Sequence, residues 1–336
     1  MKILSFIIPA YNSEQFLRKC VDSMLASEEL EKLEIIIVND GSTDRTPEIG
    51  EEYCEKYPDT VHLISQENRG HGGALNTGCA AARGKYLKVV DADDWVETRN
   101  LSAFIALLEN CQAHVVLTHY RTADIVTGQT RDWEVQPDAF GQGYSLNNVM
   151  TSWERFRNGL TFHGIAYRTD FYQKCAAPLP EHIFYEDHVF AAFPCCCAES
   201  VVCFDLCIYN YRIGDVAQSV SEENQLKRID QLEAVALCMA GEYQNLPGGP
   251  GKGYAARKLQ GVILSYLTTA LLSNPDREEG RRLAKHLMTE CQEATPEIYA
   301  AIQGKYWVFC LMNRLHWTRK NWNRVHSSRM YAWLRK

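Results

Sequence analysis

A chain of 336 residues exceeds what one hydrophobic core usually supports, so two or three packed units are expected. Apolar residues make up 46% and charged residues 23%, proportions that exclude a disordered, collagen-like or multi-span membrane chain. The net charge of −7 is unevenly spread: residues 305–336 hold eight Lys and Arg and no Asp or Glu, and the acidic body that remains argues against general nucleic-acid binding.

Residues 3–10 contain Pro9 and no small-residue cleavage site, so they read as a first strand rather than a signal peptide. Residues 14–26 carry Phe16, Leu17, Cys20, Val21, Met24 and Leu25 at helical spacing, with Asn12 or Ser13 available as N-cap. Residues 34–38 form a nearly continuous apolar run, as in a strand buried on both faces of a parallel sheet. Thr46-Pro47 opens a second helix, with Ile49, Tyr53 and Tyr57 as its inner stripe. A strand at 61–64, a small-residue helix at 73–82 and a strand at 86–90 complete a β-α-β-α-β-α-β order, which implies a right-handed, doubly wound α/β sheet.

Further along, a helix is expected at 101–110 and a strand at 115–120, followed by a polar hairpin or insertion at 121–145. Glu186-Asp187 stands before an apolar helix. Cys203-x3-Cys207 lacks a second pair and alternates with Phe204 and Leu206, the pattern of a strand and not of a zinc site. Thirteen cysteines, mostly single within apolar segments, suit buried thiols in a reducing compartment such as the cytosol. Residues 222–244 are helical, 246–251 read as a linker, and 255–272 and 277–291 make a helical pair. The basic tail, 305–336, contains Trp307, Trp317, Trp322 and Trp333. This composition suits an interfacial helix on anionic lipid, or else a helix packed on the acidic body or on a partner subunit.

Doubly wound sheets bind ligands beyond the carboxyl ends of their strands. There this chain places Pro9-Ala10-Tyr11-Asn12, then Asn39-Asp40-Gly41-Ser42-Thr43-Asp44, then Asp91-Ala92-Asp93-Asp94-Trp95. Neither a G-x-G-x-x-G turn nor a G-x-x-x-x-G-K-[ST] loop is among them. A row of carboxylates repels a phosphate unless a divalent cation intervenes. Asp91 and Asp93, two apart at a strand end, offer two hard oxygen donors on one side, which suits Mg²⁺ or Mn²⁺; the same residues also make good turn chemistry. Asp40 can accept hydrogen bonds from a base or a ribose, or can close an Asx turn, and Asp44 can cap the helix at Pro47. Tyr11 can stack on a base or simply pack. A carboxylate at 186 or 187 can serve as the base for a hydroxyl nucleophile, or can favour the helix N-terminus.

The segments 6–12, 35–44 and 84–94, in this order and spacing, resemble the signature blocks of family 2 glycosyltransferases. The resemblance implies a GT-A fold, with a mostly parallel sheet flanked by helices and a mainly helical C-terminal region. It also implies a nucleotide-diphosphate sugar donor, often UDP-linked, and single-displacement inversion. By it, Pro9, Ala10 and Tyr11 line the nucleotide pocket with Asp40 on the base and Asp44 nearby. Asp91, Ala92 and Asp93 form the metal motif for Mn²⁺ or Mg²⁺, and Asp187 is the base, with Glu186 as second choice. Residues 68–74 look closer to the members that glycosylate polyprenyl phosphates; Arg69 stands in as the pyrophosphate cation, and His71 is either a group supporting the site from behind or, as the preferred reading, a loop residue with no role. His163 stands where relatives have an aromatic residue, which implies a diverged acceptor pocket. Arg212, with Gln218 or Ser219, is expected over the diphosphate. The expected organisation is a catalytic domain at 1–220, divided at 98/99 into nucleotide and acceptor halves, then helices at 221–304 and the tail. The expected partners are a nucleotide sugar, a glycan or lipid-linked acceptor, and an anionic membrane surface on its cytoplasmic side.

Overall fold

The computed structural model describes residues 1–215 and 222–326, and these fall into two compact units, 1–215 with 249–254, and 222–248 with 255–326. In the first unit Leu4–Ala10 (β1), Leu17–Leu25 (α1), Leu33–Asp40 (β2), Thr46–Lys56 (α2), Val61–Gln66 (β3), Gly70–Ala81 (α3) and Tyr86–Val89 (β4) alternate as the sequence predicts. Trp95–Val96 (β5), Thr98–Asn110 (α4), Val115–Asp124 (β6), Thr130–Trp133 (β7), Gly143–Tyr144 (β8), Leu146–Thr151 (α5), Trp153–Phe156 (α6), Ile165–Arg168 (β9), Thr169–Cys175 (α7), Asp187–Cys196 (α8) and Val201–Ile213 (β10) follow.

All these strands belong to one sheet, ordered β3-β2-β1-β4-β9-β6-β10-β5, with β7 beside β6 and β8 beside β10. The first four strands are parallel, with Ile7 level with Ile36 and Val89. Strand β9 is antiparallel to both β4 and β6, so the sheet as a whole is mixed. Because β2 lies on one side of β1 and β4 on the other, the strand order switches at β1, and the crevice there opens at the carboxyl ends of β1 and β4. Every residue of β1, β2 and β4 is buried, as their nearly unbroken apolar runs require. Leu17, Cys20, Val21 and Met24 of α1 and Leu101, Phe104, Ile105 and Leu108 of α4 share one core with Phe6, Ile8, Ile35 and Ile37.

Helix α1 starts at Leu17, not at residue 14. Asn12 adopts a left-handed conformation (φ 48°), and its side-chain carbonyl accepts the Thr43 N–H (2.8 Å) instead of capping the helix. That bond ties the end of β1 to the turn after β2. Cys203 and Cys207 lie along β10, and all thirteen cysteines are free thiols.

The second unit contains Glu222–Lys227 (α9), Ile229–Asn245 (α10), most of Pro250–Thr268 (α11), a π-helical turn Thr269–Ser273, Arg277–Ala294 (α12), Pro296–Arg314 (α13) and Arg319–His326 (α14). The predicted linker ends early, since Pro250 already begins α11. The boundary expected at 304/305 falls inside α13. Its buried stripe, Ile298 and Ile302, continues through Tyr306, Phe309, Cys310 and Asn313. The Asn313 amide donates to the Leu271 carbonyl (2.7 Å) and accepts from Arg281 (2.7 Å), so residues 305–314 are structural. Trp333 lies outside the described residues. No helix among those described is long and apolar enough to cross a membrane.

Candidate active site

A cavity of about 340 Å³ opens at the switch point, lined by Pro9, Ala10, Tyr11 and Asp40 and by Asn68, Gly70, His71, Ala74, His182, Ile183 and Phe184. Its size is within the roughly 300–1,000 Å³ of small-molecule sites. Tyr11 and Phe184 are 53% and 42% exposed, so this cavity has two aromatic side chains on which a planar ring can stack. Asp40 is buried at the end of β2, where one carboxylate oxygen accepts from Gln66 (2.6 Å) and from the Arg69 N–H (2.9 Å). Gln66 is oriented in turn by the Thr77 hydroxyl (2.6 Å).

The cavity wall is built by fastening the start of α3 to residues 179–186. The Asn76 side chain exchanges two hydrogen bonds with the backbone of Leu179 (2.9 and 2.8 Å), and the His182 N–H donates to the Arg69 carbonyl (3.0 Å). Gly70 has φ 76°, and a Cβ there would stand 2.7 Å from the His182 nitrogen. Gly72 would bring its Cβ within 2.2 Å of the Pro180 carbonyl, so only glycine permits this approach. Arg69, expected at a pyrophosphate, is paired with Glu181, which the sequence alone does not single out. Asp44 is likewise outside the cavity lining; it accepts the Thr46 N–H (2.9 Å) and the Glu14 N–H (3.0 Å) and so braces a turn.

Asp91, Asp93 and Asp94 each place a carboxylate oxygen within 4.8 Å of the others. Asp94 is buried and committed to the scaffold, accepting from the Tyr209 hydroxyl (2.5 Å) and the Arg212 N–H (2.7 Å). Asp91 and Asp93 are partly open to solvent. Burial, and then the neighbouring Asp91 charge, push the Asp93 carboxyl up to about 6. An all-oxygen set strained by like charges fits a hard divalent cation, which would relieve the repulsion. Ala92 is buried between the two aspartates. Arg212 stands beside this group rather than in the cavity lining, with Nη1 3.8 Å from Asp93, Nη2 3.1 Å from Asp215 and its guanidinium 4.7 Å from the Phe16 ring centre. Gln218 and Ser219 lie outside the described residues.

His71 proves to be central rather than an idle loop residue. Helix α3 begins at Gly70, three residues before the predicted start, so His71 sits in its first turn. Its Nε2 lies 2.8 Å from Asp91, and its Nδ1 contacts Glu186. Burial alone would lower its pKa, but Glu186 and Asp91 on either side outweigh burial and raise it well above the usual histidine range. One charged ring therefore holds both a carboxylate of the metal motif and the buried Glu186.

Tyr185, at φ 73°, turns the chain sharply just before Glu186 and Asp187, and α8 begins at Asp187. Asp187 is half-buried. Both it and Asp91 act electrostatically on His163 and Tyr211. His163 stacks on Tyr211 (4.2 Å) and meets Tyr209 edge-on (4.9 Å), and burial pushes its pKa down to about 4, so it is neutral at pH 7. Beneath it lies Lys88, fully buried on β4, whose ammonium donates to the carbonyls of His163 (2.6 Å) and Ile165 (3.1 Å).

A nucleotide-sized cavity and a group of aspartates meeting at the switch point of such a sheet are the features of the GT-A fold. Residues 5–179, more than half of the chain, match the glycosyl transferase family 2 model, and the chain belongs to that family. A Bacillus subtilis protein named as a glycosyltransferase, EpsH, is 36% identical over 132 residues, which is 39% of this chain and 38% of that relative. The match thus spans well under half the relative's own length. Structures of Staphylococcus aureus TarS 1–349 in complex with UDP and with UDP-GlcNAc superpose with a TM-score of 0.65 at 20% identity, covering 93% of this chain and 89% of that one. The mannosyltransferase PcManGT from Pyrobaculum calidifontis, solved with GDP-Man and Mn²⁺, does so with 0.52 at 15%, covering 93% and 84%.

Proposed function

We propose that this chain transfers a sugar, with inversion, from a UDP-sugar to a hydroxyl of a glycan or lipid-linked acceptor. In this reading it serves bacterial surface polysaccharide synthesis at the cytoplasmic face of the membrane. The observation that carries the reading is the His71 bridge, which brings the cavity, the Asp91 and Asp93 pair and the Glu186-Asp187 pair into one site. The base of the nucleotide stacks on Tyr11, and Asp40 accepts its N–H or a ribose hydroxyl. Asp91 and Asp93 would hold Mn²⁺ or Mg²⁺, which when bound would supply positive charge against the diphosphate. Arg212 adds a second positive charge on the same side.

Of the two candidate bases, the environment favours Asp187, because Glu186 is buried and already bound to His71. Asp187 takes the acceptor hydroxyl proton as the new C1–O bond forms and the bond from C1 to the diphosphate breaks. Residues 68–74, which form part of the cavity wall, favour a second reading in which the acceptor is a polyprenyl phosphate, a nucleophile that needs no base.

The decisive test is UDP binding and donor hydrolysis by the wild type and by Asp93→Ala. Asp93 is held against its charge in the fold, so the substitution is expected to leave stability intact. It should abolish turnover and the Mn²⁺-dependent part of UDP affinity. Unchanged UDP affinity in Mn²⁺ would sink the metal assignment.

A further inference from the structure

Helix α13 has two unlike faces. One is packed within the second unit through Ile298, Ile302, Tyr306 and Phe309. On the other, Trp307, Val308, Leu311 and Leu315 are exposed by 60%, 48%, 58% and 60%. Their spacing, 307-311-315 with 308 alongside, places them on a single stripe extending about 12 Å along the helix. A continuous row of large apolar side chains in water marks an interaction surface. The surface at its start is open among the described residues: a Cβ added at Gly304, one turn before Val308, would meet no atom within 4 Å.

Charge decides between occupants. Lys305 and Arg314 are exposed at 160° and −20° around the helix from Trp307, one on each border of the stripe. Lys320 and Arg324 are exposed on α14, and no Asp or Glu follows Glu297 anywhere in the sequence. A second copy would set this cationic border against its own like. An apolar centre has no use for a nucleic-acid backbone. An apolar stripe between basic borders matches an interfacial helix, with side chains in the acyl boundary and cations at the headgroups.

We propose that this face of α13 docks on an anionic lipid bilayer. The inference deepens the membrane-side reading above, and it does not depend on the transfer chemistry. The test is flotation of the full chain with phosphatidylcholine vesicles containing phosphatidylglycerol, against phosphatidylcholine alone. Wild type is expected to bind the anionic vesicles, and binding should weaken as salt rises from about 0.1 to about 1 M. Arg314→Gln is expected to weaken binding about fivefold at low salt. Leu311→Ser with Leu315→Ser, both exposed and so compatible with the fold, should lower partitioning about tenfold or more. Their circular dichroism and donor hydrolysis in solution should be unchanged. Absence of wild-type binding at low salt overturns the proposal. So does a wild-type dimer that the double-serine variant dissolves, with no affinity for vesicles. A protein that floats with vesicles yet fails to hydrolyse any donor would defeat the transferase reading and leave this one standing.

Discussion

Replacing His71 by alanine should expose how the site is held together. Glu186 is 3% exposed and has His71 as its charged partner, so deletion of the ring strands a buried carboxylate. Removing one member of a buried pair costs about 3–5 kcal/mol. The Asp91 end of the bridge is partly open to water and adds under about 1 kcal/mol. A loss near about 3 kcal/mol is therefore expected in urea unfolding at neutral pH. His71→Ala combined with Glu186→Gln should recover most of it, since the amide carries no charge. The pH dependence has a definite sign. His71 has a raised pKa in the fold, so its contribution is fully present below the unfolded value of about 6.5 and is lost as the pH climbs through the higher folded value. The gap between wild type and His71→Ala should thus narrow as the pH rises above about 6.5. A single-variant cost below about 1 kcal/mol, or no recovery in the double variant, would refute the bridge as a buried ion pair.

Asp187→Asn should keep UDP affinity and lose transfer to a hydroxyl acceptor by about 10²–10⁴-fold, measured by product formation. Persistence of transfer, with Glu186→Gln inactive, would move the base to Glu186, and persistence in both would favour a phosphate acceptor. Lys88 has its pKa pushed down to about 7 by burial, so between about pH 7 and its ordinary 10.5 the unfolded chain binds a proton that the fold rejects. Stability should accordingly rise with pH across that window, by up to about 1.4 kcal/mol per pH unit. Lys88→Met should flatten that rise in thermal unfolding; an unchanged slope would place the titration elsewhere.

The strand ends were the legible part of this chain. Long apolar runs fix β1 and β2, and the residues just past them, Pro9, Ala10, Tyr11 and Asp40, do line the cavity. His71 was not legible, because its partner Glu186 is 115 residues away and a helix of glycines and small residues shows no clear start. The signal available was its place one residue after a glycine, at the head of the helix following β3. Sequence likewise displays a charge but not the neighbour that occupies it: Arg69 is paired with Glu181, and Asp44 accepts the N–H groups of Glu14 and Thr46, in keeping with its reading as a cap for the helix at Pro47. At residue 305 a change in composition suggested a boundary, although the helical period of Ile302, Tyr306 and Phe309 runs straight across it.

The antiparallel insertion of β9 also has a consequence for synthesis. Strands β3, β2, β1 and β4 are all made by residue 89, yet β4 gains its outer neighbour only when residues 165–168 emerge. At about 5–20 residues per second, that edge stays open for roughly 4–15 s on the ribosome. An unpaired apolar strand is an aggregation template, and a lysine on it is a common safeguard. Tyr86, Leu87 and Val89 are such a strand, and Lys88 is the charge upon it. The residue that weighs against the finished fold thus guards the unfinished one until the carbonyls of His163 and Ile165 arrive to receive its ammonium.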